Sequence, residues 1–348
     1  MKLCIGDCQE GLAINKSDIK FFDASKPPFS VHGLNDFPNT FKRMPESVAK
    51  SVSDAVLCHS ASSAGGRVRF ATDSPYVAIK IKHAEYNCGS PIIARTAYLG
   101  VDLYVNEKGK QRFIKNYIPP LDCEDGYEGV IELKEGMKEI TLYLPYGKEV
   151  KNLSIGVKND SKVTAHTPYK YSKPVVFYGS SITQGVATSR PGNIYEGMIS
   201  RMLDCDFLNL GFSGSCLGEE KIAEYISNID MSVFVLDYDH NAPDAEYLQD
   251  TIQMFFNTIR KNHPNLPIVM ISRPADTINE VEQSRKDVIM NTYLSARNNG
   301  DKNVYYIDGY TFFPDDCKYD CTVDGCHPND LGMYFISRKI SNVLKELL

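Results

Sequence analysis

The segment Val175-Val176-Phe177-Tyr178-Gly179-Ser180-Ser181-Ile182-Thr183-Gln184-Gly185 puts a serine hydroxyl just past a short apolar run. The run reads as a buried strand. The Gly-Ser-Ser after it reads as a turn at the strand's carboxyl end, the edge at which open α/β sheets place their sites. Ser181 is therefore a candidate nucleophile, although the segment alone reads more readily as an ordinary turn with serines as turn formers. Serine ester chemistry needs a base, a group that orients the base, and donors for the tetrahedral oxyanion. His327 is the candidate base. In Asp324-Gly325-Cys326-His327-Pro328 the spacing lets one turn bring the Asp324 carboxylate to the imidazole, setting its tautomer and leaving the other nitrogen for the serine. The competing reading is a loop histidine near a helix cap. Oxyanion donors are the N–H of Ser181, the N–H of Gly214 in Asn209-Leu210-Gly211-Phe212-Ser213-Gly214, and the Asn241 amide in Asp237-Tyr238-Asp239-His240-Asn241. A tight βα turn and a helix cap before Ala242-Pro243 are the plain alternatives for the last two. Asp237 and Asp239 are acceptors when ionised and cannot hold an oxyanion.

These residues need elements to position them, and the two halves of the chain have different periods. From about Gly65 to Val157 apolar residues alternate, as in Val77, Ile79, Ile81 and in Ile140, Leu142, Leu144, with turn signals such as Asp73-Ser74-Pro75 and Lys134-Glu135-Gly136 between the runs. That pattern predicts an antiparallel β-sandwich or jelly roll. The first sixty residues have weak periodicity, and part of them is expected to add strands to the same sandwich. From Lys173 onward, apolar runs at Val175–Tyr178, Phe207–Leu210, Val233–Leu236, Ile268–Ile271 and Val304–Ile307 alternate with helix-length segments. This predicts βα units around a parallel sheet in three layers. The expected division is a β domain over 1–165 and an α/β domain over 173–348.

Composition narrows the classes. A chain of 348 residues fits two domains, and 43% hydrophobic with 24% charged residues is ordinary for a globular protein. The net charge of -6 argues against nucleic acid or an anionic membrane as partner. Met1–Glu10 has no apolar run of signal-peptide length, so a cytoplasmic protein is expected, with secretion of a longer precursor left open. The ten cysteines are scattered without a C-x-x-C pair and read as free thiols in a reducing compartment. Cys317, Cys321 and Cys326 lie close together beside His327, but their spacings of four and five are loose for a metal site. The scheme needs no metal or organic cofactor.

Taken in order, these blocks resemble the SGNH (GDSL-type) hydrolase superfamily: Gly179-Ser180-Ser181, then Gly211–Gly214, then Asn241, then Asp324-x-x-His327. In the first half, Tyr98-Leu99-Gly100-Val101-Asp102-Leu103-Tyr104 resembles the Gly-x-Asp-Leu-Tyr signature of a β domain fused to SGNH esterases. The resemblance implies a flavodoxin-like α/β/α hydrolase behind a jelly-roll-like domain. It implies a Ser181–His327–Asp324 triad acting on small acyl esters, with O-acetyl groups on carbohydrates as the substrate class. Two departures stand out. Ser180 replaces the family's usual aspartate, and the third block lacks its usual glycine. A lysophospholipase or thioesterase on the same triad is the rival enzyme reading, and a non-catalytic carbohydrate-binding protein the rival from another class. Self-association is compatible with the sequence, and the β domain is expected to pack against the hydrolase or to bind sugar.

Overall fold

The computed structural model describes residues 14–348 except Cys88, Glu124 and Asp276. The opening segment Met1–Glu10 and the thiols of Cys4, Cys8 and Cys88 lie outside the described residues. In the first half the alternating runs pair antiparallel into two sheets. One has the order Ile19–Asp23, Lys148–Lys158, Tyr76–Asn87, Gly126–Glu132. The other runs Val163–Thr164, Arg67–Thr72, Lys138–Tyr143, Val101–Glu107, Lys110–Tyr117, with Ser30–His32 also on Arg67–Thr72. Val77, Ile79 and Ile81 from the first sheet meet Val68, Phe70, Leu103, Ile140 and Leu142 from the second in one core. The period of two puts these side chains on the inner face of each sheet.

The segment before residue 60 differs from expectation. It contributes the strands Ile19–Asp23 and Ser30–His32 to the sandwich, but also two helices, Glu46–Val52 and Asp54–Ser60. Their buried residues Ala49 and Val56 join the core of the second half, beside Leu208, Leu210, Ile222 and Ile226. Each helix is seven residues long and buries only one or two side chains, too few for a 3.6-residue period to show.

The second half is a parallel sheet in the order Cys205–Gly211, Tyr171–Gly179, Val233–Asp237, Ile268–Ile271, Val304–Ile307. Helices cover both faces, which is why these strands read as unbroken apolar runs. Val175, Phe177, Val233 and Val235 face Tyr195–Leu203 and Asp330–Leu344. Val176, Tyr178, Phe234 and Leu236 face Glu220–Ile226, Ala245–Asn262 and Glu280–Asn298. The strand order reverses beside Tyr171–Gly179, and crevices form at the carboxyl ends of strands where that reversal occurs.

Buried polar groups join the two halves. Asp102, with no exposed surface, accepts from Arg190 at 2.8 Å, from the Gly192 N–H at 2.9 Å and from Asn116 at 2.8 Å. Arg190 also donates to the Tyr104 hydroxyl. Gly100 packs so closely that a Cβ there would lie 2.2 Å from the Thr96 carbonyl oxygen. The Gly-x-Asp-Leu-Tyr signature thus forms a seam: its Asp and Tyr hold the loop that follows the Ser181 turn. Arg67, also fully buried, donates to the Phe207 carbonyl at 3.1 Å and pairs with Asp206, which His32 approaches at 2.8 Å. Asp102→Ala leaves the buried Gly192 N–H without its acceptor and takes one partner each from Arg190 and Asn116. Unfolding stability is expected to fall by about 3–5 kcal/mol, read as a lower urea midpoint at unchanged slope. An unchanged midpoint would remove the seam from the stabilising features of the fold.

Candidate active site

The turn that carries the candidate nucleophile is built by its own sequence. The strand Tyr171–Gly179 ends at Gly179, and Ser180 caps a single helical turn, Ser181–Gln184, its hydroxyl accepting from the Ile182 N–H at 3.2 Å. Ser180, which the resemblance set where aspartate is usual, is therefore a capping residue here. The turn closes on Gly185, whose φ of 98° is left-handed and whose N–H reaches the Ser181 carbonyl at 3.0 Å. The Ser180 N–H donates to the Asp237 carbonyl at 3.2 Å, tying the turn to the neighbouring strand. Ser181 is left 4% exposed.

His327 comes from a loop 146 positions away, and its Nε2 stands 3.0 Å from Ser181 Oγ. Its Nδ1 is 2.8 Å from Asp324 Oδ2. An ionised carboxylate only accepts, so Nδ1 carries the proton and Nε2 faces the serine. The other carboxylate oxygen, Asp324 Oδ1, accepts from the N–H groups of Cys326 at 3.0 Å and His327 at 2.7 Å. One aspartate thus both shapes the turn and orients the ring. The loop is further closed by Val323 N–H to the His327 carbonyl at 3.0 Å and by Asn329 N–H to the Cys321 carbonyl at 3.0 Å. Asn329 caps the helix Asp330–Leu344, and Asp330 accepts from Ser189 N–H at 2.9 Å and from Asn193 at 2.7 Å. That last pair moors the His327 loop to the segment after the Ser181 turn.

Burial raises the Asp324 carboxyl, but the N–H groups and imidazole of His327 outweigh it and hold it below the usual carboxylate range. The Cys326 side chain and then Asp324 stabilise the imidazolium of His327 against partial burial, pushing it up to about 9.

The candidate oxyanion donors Gly214 and Asn241 lie in the turns that follow the two strands flanking the Ser181 strand. Phe212, Ser213, Gly214 and Ser215 make a turn closed by Ser215 N–H to the Phe212 carbonyl at 3.0 Å. Gly214 holds the third position with φ of 65°, which a side chain would strain. Asn241 ends the 3-10 turn Asp239–Asn241 after Val233–Asp237, and its amide donates to the Phe212 carbonyl at 3.3 Å. Asn241 and the glycine turn therefore meet at the same sheet edge as Ser181. Gln184 Oε1 accepts the Ser213 N–H at 2.8 Å and links that turn back to the nucleophile turn.

Several residues here carry no motif. Arg43, fully buried and supplied by the first half, donates to the Asn209 carbonyl and Oδ1, both at 3.1 Å, and to the Gly211 carbonyl at 2.7 Å. It positions the strand end that leads into the glycine turn. Asp237 accepts from the Thr183 hydroxyl at 3.2 Å under the nucleophile turn, and burial with Asp239 nearby pushes it up to about 8. His240 Nε2 lies 3.1 Å from Cys326 Sγ, and burial together with Arg273 and His327 holds its imidazole down to about 3. A lone buried arginine or a loop histidine has no sequence period, so only long-range contact reveals these roles. Cys326 is separated by function from Cys317 and Cys321: the sulfur of Cys321 points to the Cys317 carbonyl at 3.3 Å, while Cys326 faces the imidazoles. The described cysteines are free thiols. Beside the site, Ile92, Ile93, Ala187, Val323 and Leu331 line an open groove of about 520 Å³ to which both halves contribute. Among the described residues no helix is long and apolar enough to cross a membrane.

A serine, a histidine and a carboxylate in hydrogen-bond sequence, at the carboxyl edge of a parallel α/β sheet, are the arrangement of a serine hydrolase. Comparison with known proteins agrees. Residues 172–345 match the GDSL-like lipase/acylhydrolase family, and residues 19–163 match the GxDLY N-terminus of SGNH hydrolase-type esterases. A structure from Bacteroides ovatus ATCC 8483, described as a GDSL-like lipase, is 30% identical with a TM-score of 0.86, covering 94% of this chain and 98% of that one. The salicylyl-acyltransferase SsfX3 of a tetracycline biosynthetic pathway is 18% identical with a TM-score of 0.77, covering 96% and 99%. The acetyl xylan esterase Est2A of the rumen bacterium Butyrivibrio proteoclasticus is 14% identical with a TM-score of 0.58, covering 95% and 98%. The last two likenesses concern the fold. No curated protein matches the sequence. The chain belongs to the GDSL-like lipase/acylhydrolase family and is a carboxylic ester hydrolase of SGNH type.

A base must be neutral to take a proton, so with His327 in that role kcat/KM is expected to rise with pH through its pKa and to level above about 9. The same raised pKa adds stability that is fully present below the ordinary histidine value of 6.5 and is lost as pH rises through about 9. A kcat/KM profile already flat from pH 6.5 upward would contradict both statements.

Proposed function

We propose that the chain removes small acyl groups, acetyl above all, from carbohydrate esters through Ser181, His327 and Asp324. The observation that carries the mechanism is the unbroken contact series from Ser181 Oγ to His327 at 3.0 Å and from His327 to Asp324 at 2.8 Å. His327 Nε2 takes the Ser181 proton as Oγ attacks the acyl carbonyl, and the Asp324 carboxylate stabilises the imidazolium that forms. The N–H groups of Ser181 and Gly214 and the Asn241 amide hold the oxyanion. His327 then protonates the leaving alcohol, and water hydrolyses the acyl-enzyme by the same route. The carbohydrate substrate is supported by the shared architecture with Est2A, an acetyl xylan esterase.

A second reading has one observation in its favour. The groove lined by Ile92, Ile93, Ala187, Val323 and Leu331 is apolar enough for a longer or aromatic acyl group. The ester class is therefore decided by a series of p-nitrophenyl acetate, butyrate and longer esters alongside acetylated xylan. A kcat/KM highest for acetyl, with acetate released from the polymer, is the expected result. A kcat/KM that climbs with chain length overturns the acetyl assignment in favour of the groove. Ser181→Ala is expected to lower kcat on the order of 10⁵–10⁶-fold, and Asn241→Ala on the order of 10²–10³-fold. A folded Ser181→Ala protein with wild-type turnover would end the triad reading.

A further inference from the structure

Cys326 sits between two imidazoles. Its sulfur lies 3.1 Å from His240 Nε2, and the ligand atoms of Asp324, Cys326 and His327 all fall within 4.8 Å of one another. Thiolate, imidazole and carboxylate are the ligand types of zinc. All three donors come from one short loop whose backbone Asp324 already folds. His240, on the 3-10 turn Asp239–Asn241, packs against the sulfur from outside that loop. In a tetrahedral zinc site a sulfur and a nitrogen ligand stand roughly 3.5 Å apart, given bonds of about 2.3 and 2.1 Å. His240, 3.1 Å from the sulfur, is closer than that and lies outside the cluster of ligand atoms, so it serves as a hydrogen-bond partner of the thiolate. Asp324 is exposed and Cys326 half-buried, so the loop is within reach of an ion from solvent.

We propose that Asp324, Cys326 and His327, with His240 against the sulfur, form an inhibitory site for a thiol-preferring divalent cation such as Zn²⁺. Binding displaces the thiol proton of Cys326 to solvent and places a thiolate on the ion. It also takes a nitrogen lone pair of His327 and displaces to solvent any proton that nitrogen carries. Both nitrogens of His327 are committed in the free protein, one to Ser181 and one to Asp324. An ion on either one breaks the contact series that would deprotonate the serine. Hard cations such as Mg²⁺ prefer oxygen ligands and are excluded by the sulfur and the imidazole. The inhibition rests on the reading of His327 as the base, whereas binding of the ion does not.

The test uses the full chain, its Cys326→Ser, His240→Gln and Ser181→Ala variants, and zinc, cobalt and magnesium chlorides. Cobalt is expected to give a thiolate-to-metal charge-transfer band in the near ultraviolet with the wild type and with Ser181→Ala, and none with Cys326→Ser. Zinc is expected to inhibit the wild type reversibly, with recovery on chelation, while magnesium leaves it active. In Cys326→Ser and His240→Gln the zinc needed for half-inhibition, each relative to its own zinc-free rate, is expected to rise on the order of 10–100-fold. A wild type without the cobalt band overturns the site, as does equal zinc sensitivity in Cys326→Ser. A cobalt band without zinc inhibition overturns the inhibitory role. The band in Ser181→Ala reports binding without activity, so failure of the metal site and failure of the triad are read separately.

Discussion

Ser181 Oγ and His327 Nε2 stand 3.0 Å apart although 146 positions separate them, and the rest of the structure can be understood as what holds that distance. The serine is set by a strand buried on both faces, so its position along the sheet cannot slide without exposing Val175 or Val176 to water. The histidine is set by Asp324, which spends one oxygen on the ring and the other on two backbone N–H groups. Asp330 then ties the histidine loop to the segment that follows the serine. Each constraint is individually modest. Together they leave the imidazole little freedom, which is how a site gains reactivity from geometry rather than from loop motion.

The two halves meet through charge as much as through apolar contact. Arg43, Arg67 and Asp102 are fully buried, and each reaches across to the α/β half. Removing such groups from water is costly and is offset only when every polar atom finds a partner. Asp102 achieves this with three donors, and Arg43 with carbonyl oxygens on the strand that feeds the glycine turn. The sandwich therefore does more than accompany the hydrolase. It supplies the cation that holds the Asn209–Gly211 strand end, one wall of the groove and, through Ala49 and Val56, part of the second core.

Much of this was legible beforehand, for identifiable reasons. The apolar runs from Val175 to Ile307 announce a parallel sheet because strands covered on both faces have no polar side to interrupt them. Alternation in Val77, Ile79 and Ile81 announces a two-faced antiparallel sheet. Asp324 and His327 could be paired from their spacing, since three residues and a glycine suffice to turn a carboxylate onto a ring. Less legible was the segment before residue 60, where short helices bury too few side chains to leave a period. The Gly-x-Asp-Leu-Tyr signature could be seen in the sequence, but its physical meaning as a seam on Arg190 and Gly192 could not.

By itself, the sequence determined local matters: which runs become strands, where the chain turns, which serine stands at a strand end, and which aspartate can reach His327. These follow from periodicity and from contacts between near neighbours. The tertiary structure alone decided which distant residues share the site. It brought Arg43 to the Gly211 carbonyl, His240 to Cys326, and Ile92 and Ile93 to the groove beside Val323. Such meetings depend on how layers pack and which strand ends become neighbours, and no spacing along the chain encodes them.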